Sequence, residues 1–346
     1  VKRYSQDWYR PGTMAVYVVG DVDASAIEAS IKERFGALPA QEKPRKAPER
    51  SLPKASDLAF LSLQDKELPV QAVALGRLLE TPQVASLESF RKSYIEAVSA
   101  MMMGMRLEEA KQKGNVRFLM AAAAPTPLVR NVRALAFVAM VKPEDVAGGL
   151  EDLLTEIERA RRFGFTQGEY ERATKQLLTF FRSNASDDAA GKESSSALVD
   201  ELTRHHLGGE GMPGRPMELA IAEQFGKTVP LSELTAPLQG YLEPAGLIAA
   251  SIGTFSGGAL SKDDFLEQLA KVSKKELVPY ADQRSDEPLL ATLPKPGAIS
   301  KETLHEEVGV HEWTLSNGAR VVLKPTDFRG DQILIRASSP GGTSLL

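Results

Sequence analysis

The spacing of apolar residues changes several times along the chain, and each change marks an element. Residues 14–20 form a continuous apolar, β-branched run that reads as a buried strand. Asp23 then caps a helix whose Ile27, Ile31 and Phe35 recur every fourth position, and Gly36 ends it ahead of Pro39. Residues 58–63 and 70–75 read as strands. From Leu87 to Leu107 the apolar residues, among them Tyr94, Val98, Met101, Met102 and Met105, take helical spacing until Lys113-Gly114-Asn115 breaks it. Residues 116–124 and 132–141 are two more strand candidates, the first stopped by Pro125 and Pro127, the second by Pro143.

Pro143 suits the first turn of the next helix, which Val146, Leu150, Leu153, Ile157 and Ala160 carry to Gly164. Thr166 and Glu169 then form a capping box, each satisfying an orphan amide of the other, and open a helix through Leu177 and Phe181. A further helix is expected over 190–206, a glycine- and proline-rich loop over 208–216, short helices over 217–225 and 232–241, and a strand over 247–252. Ser261 with Asp264 caps a helix that runs to Val272. This order of strands and helices predicts an α+β fold, a mostly antiparallel sheet with helices packed on one face. Residues 37–57 and 279–309 carry scattered prolines among mixed charges and read as linkers. Beyond the second, a hairpin over 311–323 turns on Asn317-Gly318, and a strand follows over 332–337.

Composition narrows the function. With 42 basic against 46 acidic residues the net charge is -4, and no block of like charge marks a nucleic acid or an anionic membrane as partner. No apolar run approaches the roughly 18–20 residues of a membrane span, and no signal-peptide layout precedes residue 14. Cysteine is absent, which excludes disulfides, thiolate catalysis and cysteine-held zinc within these residues and fits a periplasmic, cell-envelope or secreted location. The length of 346 predicts about two domains.

Candidate chemistry is sparse. A zinc site on one helix needs two histidines four apart with a glutamate beside them, yet His205 and His206 open H-H-L-G-G and His305 opens H-E-E-V-G. His205 and His206 read as helix C-terminal residues, and His305 with Glu306 and Glu307 as charged linker. Neither glycine stretch, 208–214 or 253–258, has the order of a phosphate loop, and no G-x-S-x-G occurs. Met101, Met102, Met103 and Met105 read as core, with a peptide groove as the alternative. Asp187-Asp188 and Asp263-Asp264 read as helix starts. No residue of the chain is expected to be catalytic, cofactor-binding or metal-binding.

Three separated stretches carry a resemblance. The first is Trp8-Tyr9-Arg10-Pro11 through Gly20-Asp21-Val22-Asp23, a helix, and then Phe35-Gly36-Ala37-Leu38-Pro39. The second is Arg106-Leu107 followed by Gly164-Phe165-Thr166 and Glu169, and the third is Leu315-Ser316-Asn317-Gly318-Ala319-Arg320-Val321-Val322. In this order they resemble the pitrilysin/insulinase family, the inverted zincins, whose metal motif is H-x-x-E-H. The resemblance implies that residues 1–50 finish the first, catalytic domain and that 51–280 form the second, non-catalytic domain. Residues 281–309 would then be the linker between two halves, and 310–346 the start of the third domain. It implies a parent zinc metalloendopeptidase acting on peptides or unfolded polypeptides, with zinc and its ligands outside this segment. The segment itself would wall the peptide chamber opposite the other half of the same polypeptide, and would be inactive alone. Two other readings stand beside it: a family member without the zinc motif, acting as a structural or peptide-binding partner subunit, and an unrelated α+β binding module.

Overall fold

The computed structural model describes all residues except 41–44, 47–55, 69, 82–84, 130–131, 190, 192, 255–257, 283–287, 289, 329–332 and 343–346. The chain divides into two units, residues 1–181 with 194–282, and residues 182–193 with 283–346.

In the first unit, alternation along the strands decides which side of the sheet the core takes. The strands are β1 (Ala59–Leu63), β2 (Ala72–Glu80), β3 (Met120–Val129), β4 (Val132–Met140) and β5 (Leu247–Ile252), in the order β1-β5-β2-β4-β3. The β1–β5 pair is parallel and the other pairs are antiparallel. Val73 and Leu75 of β2, Leu135, Phe137 and Ala139 of β4, and Leu247 and Ala249 of β5 share one face and are buried in one core with the helices. That face meets α3 (Leu87–Gln112), α4 (Val146–Phe163) and the 3-10 turn Leu231–Leu238. Tyr241, following that turn, donates its hydroxyl to Leu135 O at 2.7 Å and Leu75 O at 3.2 Å, satisfying a polar group in the core. Arg77 of β2 donates to the carbonyls of Gly240, Glu243 and Ala245, which seats the loop that feeds β5 into the sheet.

The remaining helices are α1 (Lys2–Trp8), α2 (Ala24–Phe35), α5 (Gln167–Ala189), α6 (Ser195–Gly208), α7 (Arg215–Thr228) and α8 (Lys262–Ser273). Their starts follow the expected chemistry. Asp23 accepts from Ala26 N at 2.7 Å, Thr166 and Glu169 exchange hydrogen bonds at the start of α5, and Ser261 and Asp264 do so at α8. In the second unit, β6 (Ile299–His305), β7 (Val310–Leu315) and β8 (Arg320–Leu323) form an antiparallel sheet, with Gly318 at φ +86° in the turn between β7 and β8.

Several expectations change. Residues 14–20 enter no ladder, and Met14, Val16 and Val18 are exposed. An apolar run shows the capacity for a strand, whereas a ladder needs a neighbour's backbone groups, and no described strand offers them here. The chain opens on α1, which has no buried residue and gave no apolar period to read. β3 runs through Pro125 and Pro127 because it is an edge strand, where a missing N–H breaks no ladder. Pro143 lies ahead of Asp145, the true cap of α4, which accepts from Gly148 N at 3.1 Å. Asp187 and Asp188 sit in the last turn of α5 rather than at a helix start. Residues 299–305, read as linker, are β6, while residues 333–337, read as strand, form none. The expected linker over 37–57 and the loop over 253–258 fall largely or partly outside the described residues.

Candidate functional site

The second face of the five-stranded sheet is built almost wholly from small and aliphatic side chains. Register places Ala59, Leu61 and Leu63 of β1 beside Ile248, Ala250 and Ile252 of β5. Ala72, Ala74 and Gly76 of β2 come next, then Met140, Val138 and Ala136 of β4, then Met120, Ala122 and Ala124 of β3. Side chains alternate across a strand, so these all point away from the helices that cover Val73, Leu75 and Phe137. Leu61, Leu63, Met120 and Val138 are 55%, 46%, 51% and 39% exposed, and Ala122 and Ala124 are exposed as well.

Five strands at about 4.8 Å spacing, with rows from Ala72 to Gly76 at about 3.3 Å per residue, give this face a span of roughly 20 by 13 Å. That is a geometric area of about 250 Å², within the few hundred Å² that exposed apolar patches of soluble proteins reach, with Ala72 and Gly76 buried inside it. None of the strand residues on this face between the row of Ala72 and the row of Gly76 is ionisable. The charged residues of these strands lie on the helix side or at the ends. Arg133, for example, reaches Glu96 of α3 through a two-point ion pair. Gly76 thins the centre of the sheet further, since a Cβ there would lie 3.3 Å from the Cβ of Ala134. These side chains, apart from the thioethers of Met120 and Met140, offer only methyl and methylene groups, which neither donate nor accept protons.

The histidines lie elsewhere. His205 Nδ1 is 2.5 Å from Glu210 O at the end of α6, and His206 meets the ring of Tyr17 edge-on at 6.0 Å. His305 pairs with Glu312 and His311 with Glu302, both at 3.3 Å, across β6 and β7. Among the described residues no group of three or more histidines and carboxylates is placed to hold a metal. Met102 and Met103 are fully buried and Met101 and Met105 pack against the core, so the methionine stripe is interior. The apolar face was missed in the sequence because alanine alternating with Val, Leu or Phe reads as a strand without saying which side is covered. The signal was the size contrast itself: large at Val73, Leu75, Leu135 and Phe137, small at Ala72, Ala74, Ala134 and Ala136.

The sequence profile of the peptidase M16 inactive domain matches residues 1–177. The chain is 24% identical over 351 residues to a zinc protease PQQL-like protein of Arabidopsis thaliana, covering 100% of this chain and 33% of that protein. The probable zinc protease PqqL of Escherichia coli strain K12 is also 24% identical, over 349 residues, covering 99% of this chain and 37% of that protein. The chain thus spans about a third of the length of these curated relatives. Its fold superposes on the crystal structure of the periplasmic protease PqqL from Escherichia coli with a TM-score of 0.71 at 23% identity, covering 93% of this chain and 36% of that one. No helix among the described residues is long and apolar enough to cross a membrane.

Proposed function

Because the chain belongs to the peptidase M16 family, matching its inactive domain, we propose that it is the non-catalytic second domain, with flanking pieces, of a zinc metalloendopeptidase. The open apolar sheet face carries this reading: it would wall the chamber in which an extended, unfolded polypeptide lies, offering contact without chemistry. Residues 1–50 would complete the catalytic domain, 51–280 form the second domain, 281–309 link the two halves, and 310–346 begin the third domain. The break between units at residue 282 supports the second of these boundaries, although the inactive-domain match starts at residue 1, ahead of the first. Zinc and its ligands would lie outside this segment, on the rest of the polypeptide. The name of the Escherichia coli relative supports a periplasmic setting.

The test is a charge placed on the wall of the full-length protein. Ala74→Glu, in the middle row of the central strand, is expected to lower kcat/KM for an unfolded fluorogenic polypeptide by about tenfold, roughly 1.4 kcal/mol of lost binding, with zinc content unchanged. An unaltered kcat/KM would remove the wall from the reaction. Full-length protein that holds no zinc and cleaves nothing, yet binds the polypeptide through this face, would establish the partner-subunit reading instead. The isolated 346-residue chain is expected to hydrolyse no peptide and to bind no stoichiometric zinc.

A further inference from the structure

After α8 the chain runs from Lys275 to Asp282 without helix or strand, yet it is fastened along its length. Arg162 of α4 donates to Lys275 O at 2.8 Å, and Arg159 of α4 donates to Val278 O at 2.6 Å. Arg172 of α5 pairs with Asp282 at 2.9 Å. Asp282 comes so near the first turn of α5 because residue 168 is glycine; a Cβ there would collide with its carboxylate. The carboxylate also lies where the helix dipole favours negative charge.

Tyr280 is the centre of the arrangement. The guanidinium of Arg106 lies over the Tyr280 ring at 4.4 Å from the centroid and over that of Phe165 at 5.0 Å, so the cation meets two aromatic rings. The Tyr280 hydroxyl donates to Glu109 of α3. Arg106 is held independently by Glu169 and does not need the strap to keep its place. Its Nη1, however, is buried with no hydrogen-bond partner among the described residues. The closed arrangement therefore keeps one buried donor unsatisfied, a cost set against the contacts that Tyr280 makes.

We propose that residues 275–282 are a releasable strap, with Tyr280 as its latch and Arg106 as the socket, that sets how much free chain joins the first unit to the residues after 282. Release frees eight residues, roughly 25–30 Å of additional reach at full extension. The strap goes beyond the function proposed above and does not depend on it, because it concerns the tether and not the sheet face.

The chain has no cysteine, so a single one placed at the exposed Ala281 takes a spin label cleanly. Its spectrum is expected to contain an immobile, latched component and a minor mobile one. Tyr280→Ala should raise the mobile-to-immobile ratio about tenfold, and Tyr280→Phe, which keeps the stack, by less than about threefold. A label at Ala220 on α7 serves as the control and should not change. A wholly mobile wild-type spectrum, or a ratio that Tyr280→Ala leaves unchanged, overturns the proposal. If the control shows that Tyr280→Ala does not fold, Asp282→Ala decides: a higher mobile fraction supports the strap, and an unchanged one rejects it.

Discussion

Arg106 and Glu169 are both 1% exposed and meet through two hydrogen bonds, 2.8 Å from Nε and 2.7 Å from Nη2, while Glu169 also accepts from Thr166 N. A buried charge that loses its partner keeps its desolvation penalty, so Arg106→Ala or Glu169→Ala should each cost about 3–5 kcal/mol in urea unfolding. Replacing both with apolar residues of similar size, Arg106→Met with Glu169→Leu, should recover most of that loss. Glu151 makes a different prediction. Lys271 foremost, then Lys275 and Arg117, hold its carboxyl down at about 2, against an ordinary 4.5, with its partial burial opposing them. Above the ordinary value the group is ionised both folded and unfolded, and its contribution is complete. As pH falls through 4.5 toward 2 the unfolded chain takes up the proton first, and that contribution is lost. Thermal unfolding of wild type and Glu151→Gln should therefore differ at pH 6 and converge near pH 2.

Among the elements, the corner between α4 and α5 is the most tightly specified. Gly164 has φ +72° and ψ -155°, a conformation almost confined to glycine, and a Cβ there would lie 3.2 Å from Thr235 Oγ1. Gly164→Ala should cost about 1–3 kcal/mol, read from the shift in urea midpoint at constant slope. This corner was legible in sequence because its signals are local: a glycine stop, a threonine cap and a glutamate three residues on. The helices α3, α4 and α8 were legible for the same reason. Pairing was not. The partner of Arg106 lies 63 residues away, the edge position that lets β3 pass through two prolines depends on strand order, and residues 14–20 show a strand's composition without a ladder. The candidate site failed to appear for a related reason, since which alanines are open depends on where the helices settle.

On the scale of the whole molecule, that open face has a cost as well as a use. An uncharged sheet surface rimmed by Leu61, Leu63, Met120 and Val138 should make the isolated chain self-associate with rising concentration. Sedimentation velocity should show this, and Leu61→Lys with Val138→Lys should return the chain to a monomer. If the wild-type chain stays monomeric at high concentration, the face is less adhesive than its composition implies.

The strand order also governs how the chain is made. β5 lies between β1 and β2, yet it is translated last of the five. While the ribosome is still adding residues before Leu247, β2, β4 and β3 are already made and can pair, but β1 has no strand to join and β2 keeps one bare edge. Such an unfinished sheet is the kind of species that pairs with another copy or with itself wrongly. The arrival of a single late strand, satisfying both waiting edges at once, is therefore the step at which a chaperone, or slower synthesis beyond residue 247, would most improve the yield of folded protein.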